Sequence, residues 1–248
     1  MPPLSPAEWL LVAVAAVGIG VSKSGLAGVG LLHVLIFAFL FGARESTGVV
    51  LPMLIVGDVL AVATFRQHAR WDYVLRMLPP AAIGVVIGTL LISVIPDAHY
   101  KPLVGVIILG LTVLQLIRLW RPGLYEHVPH QVWFVWTIGL VSGIATMLAN
   151  AAGPIMAIYL VAVALPKYEL VGTAAWFFLI INVFKVPFSA ALGLISGASL
   201  LLNIVLIPLI AAGVFFGRWL VRHIPQKLFD AFLLIFAAIA ALRLFDLF

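Results

Sequence analysis

The stretch Val21-Ser-Lys-Ser-Gly-Leu-Ala-Gly-Val-Gly30 puts a lysine, two serines and three glycines into an otherwise apolar region. Apolar runs flank it at about 7–22 and 26–42. A lysine and a glycine-rich backbone at that place conflict with an unbroken membrane helix, which needs about 20 consecutive apolar residues. Non-helical backbone survives at membrane depth only where protein or a water-filled cavity satisfies its N–H and C=O groups. The stretch therefore reads as a helix break beside a cavity.

The surroundings support a membrane setting. The chain has 248 residues, of which 65% are hydrophobic and 9% charged, and its mean hydropathy is +1.24. A soluble domain carries far more surface charge. The first apolar run is preceded by Glu8 and by no lysine or arginine, so it reads as a first span and not as a cleaved leader. With no cysteine, disulfides, thiolate metal sites and cysteine nucleophiles are excluded. A net charge of +5 fits basic cytoplasmic loops better than a nucleic-acid partner.

Working outward, ten apolar segments appear: 7–22, 26–42, 46–65, 73–95, 101–120, 131–148, 152–166, 168–196, 198–221 and 227–247. The second and seventh are short, and if both are re-entrant eight spans remain. Lysine and arginine concentrate in cytoplasmic loops. Leaving out Lys23 and Lys185, ten spans divide the other twelve basic residues nine against three, and eight spans divide them six and six. Ten spans with both termini outside are expected. Trp9, Trp71, Trp120, Trp133 and Trp219 are placed as interfacial anchors.

The two halves repeat. Pro79, Gly84, Gly88, Ile95 and Pro96 match Pro208, Gly213, Gly217, Ile224 and Pro225 at an offset of 129. Glu45, Gly48 and Val59 match Glu169, Gly172 and Val183 at an offset of 124, which also pairs Asp58 with Asn182. The first break corresponds to a second, Ala145-Thr-Met-Leu-Ala-Asn-Ala-Ala-Gly-Pro154. Five spans per unit make the second unit enter from the opposite side. The expected fold is thus all-α, a polytopic membrane protein of about ten helices. Two inverted five-helix repeats, 1–122 and 131–248, carry helices broken near the midplane. Inverted repeats with broken helices mark secondary transporters.

Each break starts a new helix, whose first N–H groups are unpaired and carry partial positive charge and so form anion sites. The expected substrate-binding residues are Lys23, Ser24, Gly25, Asn150, Ala152, Gly153, Asn182 and Lys185, with Ser22 a further donor. Small residues that merely allow close helix packing are the alternative. Asp58 lies near the bilayer centre, where a carboxylate is a functional residue by default. It is a proton carrier or the partner of Lys23 or Lys185. Lys185 either lines an anion path or snorkels outward. His33 reads as a packing residue. No serine-hydrolase, zinc-protease, P-loop or nucleotide motif is present, so the chain is not read as an enzyme, and no cofactor or metal is implied.

The first break, Glu45-Ser-Thr-Gly-Val-Val-Leu-Pro52, Pro79-Pro-Ala-Ala-Ile-Gly-Val-Val-Ile-Gly88 and the repeated half resemble the TauE/SafE family, sulfite and organosulfonate exporters grouped with toluenesulfonate uptake permeases. Lys23 departs from that family's glycine-richer first break. The resemblance implies transport of a small sulfur oxyanion or organosulfonate across the bacterial inner membrane without ATP. An inside-negative potential of about 100 mV favours expelling a monovalent anion by about 2.3 kcal/mol, so export can run as uniport, and Asp58 would allow proton coupling. A bidirectional carrier or importer of another small anion, such as a carboxylate, is the alternative. The expected partners are the substrate anion and lipid, and a homodimer is kept open.

Overall fold

In a computed structural model the described residues are 4–24, 29–121 and 131–223. They form nine α-helices and a 3-10 turn at Arg66–His68, with no strand. The helices are α1 (Pro6–Ser22), α2 (Val29–Phe41), α3 (Glu45–Phe65), α4 (Trp71–Val94), α5 (Asp97–Trp120), α6 (Val132–Ala149), α7 (Gly153–Ala162), α8 (Lys167–Ala191) and α9 (Gly197–His223). Six of them are long and apolar enough to cross a membrane, and α1, α2 and α7 are shorter apolar helices. The expected segment 227–247, Ile224 and Pro225 lie outside the described residues.

Two expected segments end early. The seventh was expected to run to residue 166, but α7 stops at Ala162. Ala164 takes φ 54°, the Leu165 N–H turns back to Leu160 O, and Pro166 has no N–H with which to continue. The eighth was expected to reach 196 but ends at Ala191, where Gly193 adopts φ +70°. The Leu194 N–H reaches Ser189 O, closing the helix through a left-handed residue.

Apolar side chains form two main buried clusters. One joins α1, α2, α3 and α9 through Val12, Ile19, Phe37, Met53, Leu206 and Ile210. The other joins α2 and α4–α8 through Leu31, Met77, Tyr100, Met147, Tyr159 and Phe177. Both clusters mix helices from the two sequence halves. Much of the outer surface is apolar too, with Leu75, Leu90, Val94, Leu201 and Phe215 exposed, as lipid contact requires. The five tryptophans read as anchors are all exposed.

Glycines set the closest helix contacts, and they do so in matched fashion. A Cβ at Gly20 would overlap Ile210 O, and one at Gly143 would overlap Ala81 O. Gly213 is pressed on Val17 O and Gly84 on Leu140 O. Thus α1 packs along α9 and α6 along α4, each pair running in parallel. The start of α3 meets the chain just beyond α8, since Gly48 abuts Leu194. The start of α8 meets the end of α3, since Gly172 abuts Phe65 O and Ala69 N, so α3 and α8 run antiparallel. At the ends, Arg44 pairs with Asp97 at 2.9 Å and donates to Ile95 O. Arg70 bonds Glu169 at 3.2 Å and Asp72 at 3.3 Å. The hydrogen bond to Glu169 and the charge of Asp72 raise the Arg70 guanidinium above its ordinary range.

Candidate functional site

The first break is a turn at Lys23 and Ser24. The Lys23 N–H reaches Gly20 O and the Ser24 N–H reaches Val21 O, which ends α1. The Lys23 side chain crosses α3 at Gly57, where a Cβ would come within 3.2 Å of Lys23 Cγ. Its ammonium then lies 2.7 Å from Asp58 Oδ1 and 4.9 Å from the centre of the Phe178 ring. A side chain at residue 57 would crowd the path by which the cation reaches the carboxylate.

The second break is built on Asn150. It takes φ 52°, a conformation that asparagine tolerates better than most side chains. Its N–H returns to Thr146 O and the next N–H to Ala145 O. The Asn150 amide donates to Thr47 O at 2.9 Å, tying this break to the start of α3. Three residues on, α7 begins at Gly153 with no side-chain cap, leaving its first N–H groups without an intrahelical partner.

One polar chain joins the two breaks. The Asn182 amide donates to Asp58 Oδ2 at 2.7 Å. Lys185, one turn further along α8, donates to Asn150 Oδ1 at 2.6 Å, Thr146 O at 2.8 Å, Thr146 Oγ1 at 3.2 Å and Asn182 Oδ1 at 3.4 Å. Asp58, Asn182 and Lys185 are all buried. A buried charge is retained only where fixed dipoles or a counter-charge replace water. Asp58 has Lys23, whereas Lys185 has a ring of neutral oxygens.

A cavity of about 350 Å³ lies against this chain. Its polar wall is Ser22, Lys23, His33, Asp58, Thr146, Asn150 and Asn182, and its apolar wall includes Leu54, Met156, Leu160 and Phe178. Gly30, Gly153 and Pro154, at the starts of α2 and α7, also face it.

Of the residues singled out in the sequence, Lys23, Asn150, Gly153, Asn182 and Asp58 are brought together on this wall. Three others are placed differently. The Ser24 hydroxyl donates to Val214 O at 2.9 Å and so pins the break to α9. Ala152 is buried behind the lining, and Lys185 supports the wall from behind Asn150 and Asn182. Outward snorkelling of Lys185 is overturned, because its side chain is enclosed. Gly25 lies outside the described residues.

His33, which reads as packing, is buried and lies on the cavity lining, and neither ring nitrogen makes a hydrogen bond of good geometry. Thr146 and Phe178 were missed. Spacing could have found them: Phe178, Asn182 and Lys185 recur on one helical face, as do Thr146 and Asn150. No group of three potential metal ligands occurs among the described residues.

The sequence profile of the family described as "Sulfite exporter TauE/SafE" matches residues 11–244. The chain belongs to the TauE/SafE family. It is a multi-pass membrane protein of a transporter family, with nearly its whole length inside the match. Searches of curated proteins and of solved structures return no significant match.

Proposed function

We propose that this TauE/SafE chain is a secondary carrier that exports small sulfur-containing anions, sulfite or organosulfonates, across the bacterial inner membrane. The observation that carries this reading is the cavity bounded by both breaks, with Lys23 and Asn150 on one wall. Two lysines and a single aspartate meet at the buried chain, an excess of formal positive charge that suits a monoanion. Lys23, Asn150 and the Gly153 N–H at the start of α7 hold the oxyanion. Asn182 and Lys185 fix the wall, and Asp58 is the coupling residue. The apolar wall and the cavity volume favour an organosulfonate with a short hydrocarbon body over bare sulfite.

The reading includes ten crossings as two inverted repeats, 1–122 and 131–248, with both termini periplasmic. The reciprocal glycine contacts support the repeat: Gly84 and Gly213, and likewise Gly48 and Gly172, meet neighbours related by nearly the same sequence offset. Crossing by the short seventh segment is supported by distance. Asn150 touches Lys185, and α8 begins eighteen residues before Lys185, a rise of about 27 Å. The chain from Asn150 to Lys167 must cover that depth, although its helix has 10 residues.

Counterflow in proteoliposomes with labelled sulfite, methanesulfonate, toluenesulfonate and a carboxylate tests the reading. Exchange of a sulfonate is expected. Exchange of the carboxylate alone would shift the assignment to another organic anion, and no exchange of any of them would end it.

A further inference from the structure

Lys23 has a partner already. Its ammonium is neutralised by Asp58 at 2.7 Å, and Asn182 holds the other carboxylate oxygen at 2.7 Å. An anion entering the cavity must take Lys23 from Asp58, because among the described residues Lys23 is the one lysine or arginine on the lining. We propose that the transported anion displaces Asp58 from Lys23, so that one proton is taken up for each anion bound and the two cross together.

This inference rests on the anion-carrier reading and fixes its coupling. Once Lys23 turns to the anion, Asp58 is a fully buried carboxylate facing one neutral amide. Removing one member of a buried ion pair is strongly unfavourable, and a buried charge left alone neutralises itself. A proton from the aqueous compartment, arriving as hydronium and leaving neutral water, forms the new O–H bond on Oδ1, the oxygen that Lys23 leaves. The protonated oxygen then points at the anion as a donor. Charge balances: before binding the pair is ammonium and carboxylate, and afterwards it is ammonium and anion beside a neutral acid. The occupied and empty sites carry the same net charge, which suits passage through a low-dielectric interior.

The charged and titratable groups around Asp58 are few. Lys23 comes from the first break, Lys185 lies behind Asn182 on α8, and His33 of α2 lines the same cavity. Thr146 and Asn150, from the second break, do not titrate. Lys185 is enclosed behind the wall and does not line the cavity, leaving Asp58 and His33 as the two titratable groups beside Lys23 on the lining.

The coupling has a sign that differs from uniport. Anion and proton bind together, so they move in the same direction. Net flux then follows the sum of the anion gradient and the pH gradient, and membrane potential drops out, so export runs on an outward anion gradient and not on the potential that uniport would use.

The experiment uses the full chain in proteoliposomes with an internal pH dye. Methanesulfonate and toluenesulfonate serve as probes, since neither titrates near neutrality. Anion entry should acidify the lumen with a proton-to-anion ratio of one. Accumulation should change about tenfold per pH unit and remain within about twofold when a potential of about 100 mV is imposed, where a lone anion would redistribute about 50-fold. Asp58→Asn should bring the ratio to zero and make the remaining flux potential-sensitive, whereas His33→Gln should keep the ratio at one, whatever its rate. Anion entry without proton movement, or with lumen alkalinisation, overturns the proposal while leaving the carrier reading intact. A ratio lost in His33→Gln and kept in Asp58→Asn also overturns it. If neither probe moves, the organosulfonate form of the carrier reading falls and this proposal with it. If Asp58→Asn does not fold, the wild-type ratio decides.

Discussion

The two breaks occupy corresponding places in the chain and solve the same electrostatic problem differently. At the first, Lys23 projects from the break itself and is met by Asp58 of α3. At the second, the break carries neutral Asn150, and the cation, Lys185, comes from α8. Asp58 and Asn182, which match at a sequence offset of 124, bond each other at 2.7 Å. A carboxylate on one side and its uncharged isostere on the other leave one lysine with a counter-ion and one with dipoles alone. The first arrangement can exchange its counter-ion for a ligand. The second has no charge to exchange and is built to stay.

Breaking the first pair should have the largest effect. Lys23→Met leaves Asp58 buried alone, a loss of about 3–5 kcal/mol, seen as a lowered thermal midpoint in detergent with no anion flux. The double variant Lys23→Met/Asp58→Asn should regain most of the midpoint and none of the flux. If the double variant transports normally, the lysine is not a ligand and the contrast between the breaks collapses.

Next in size are the glycine contacts. Gly20→Val and Gly143→Val should each destabilise by about 1–3 kcal/mol or more, and by similar amounts, because each Cβ would strike a backbone carbonyl of the partner helix. Unequal melting shifts would show that the two parallel helix pairs are not equivalent.

Asn150→Ala removes the bond to Thr47 and an acceptor of Lys185. We expect a loss of about 1–3 kcal/mol, together with at least about tenfold weaker half-saturation in counterflow. Unchanged half-saturation would remove Asn150 from the site and leave it a structural link. The smallest effect is expected at the membrane edge. Arg70→Ala breaks partly exposed contacts to Asp72 and Glu169, worth under about 1 kcal/mol. Its melting midpoint should barely move, and a large shift would show that this pair clamps α8 to the α3–α4 turn.

Much of the architecture is legible in the chain because lipid restricts the choices. Apolar runs of the right length must be helices, and α3, α4, α6 and α9 begin and end within a few residues of the places read from hydropathy. Prolines and left-handed residues decide the ends that were misplaced, such as Ala164 after α7 and Gly193 after α8. Their conformations follow from local turn closure, not from hydropathy. Within the site, charge and helix breaks single out Lys23, Asp58, Asn150, Asn182 and Lys185. His33 is buried and also lies on the cavity lining, a placement not legible in the chain, because an imidazole on an apolar helix carries no sign of which way it faces.

The sequence by itself determined that this chain lives in lipid, that its apolar runs are broken at Lys23 and at Asn150, and that a few polar groups lie among them. Solvation energy and span length settle those matters residue by residue. Only the tertiary structure decided that α1 packs on α9 and α6 on α4, that Lys23 meets Asp58 while Lys185 meets Asn150, and that Ser24 turns away from the cavity. Those pairings join residues some 35 to 190 positions apart. They follow from which glycine faces allow two backbones to touch, and that is a property of helices already packed together.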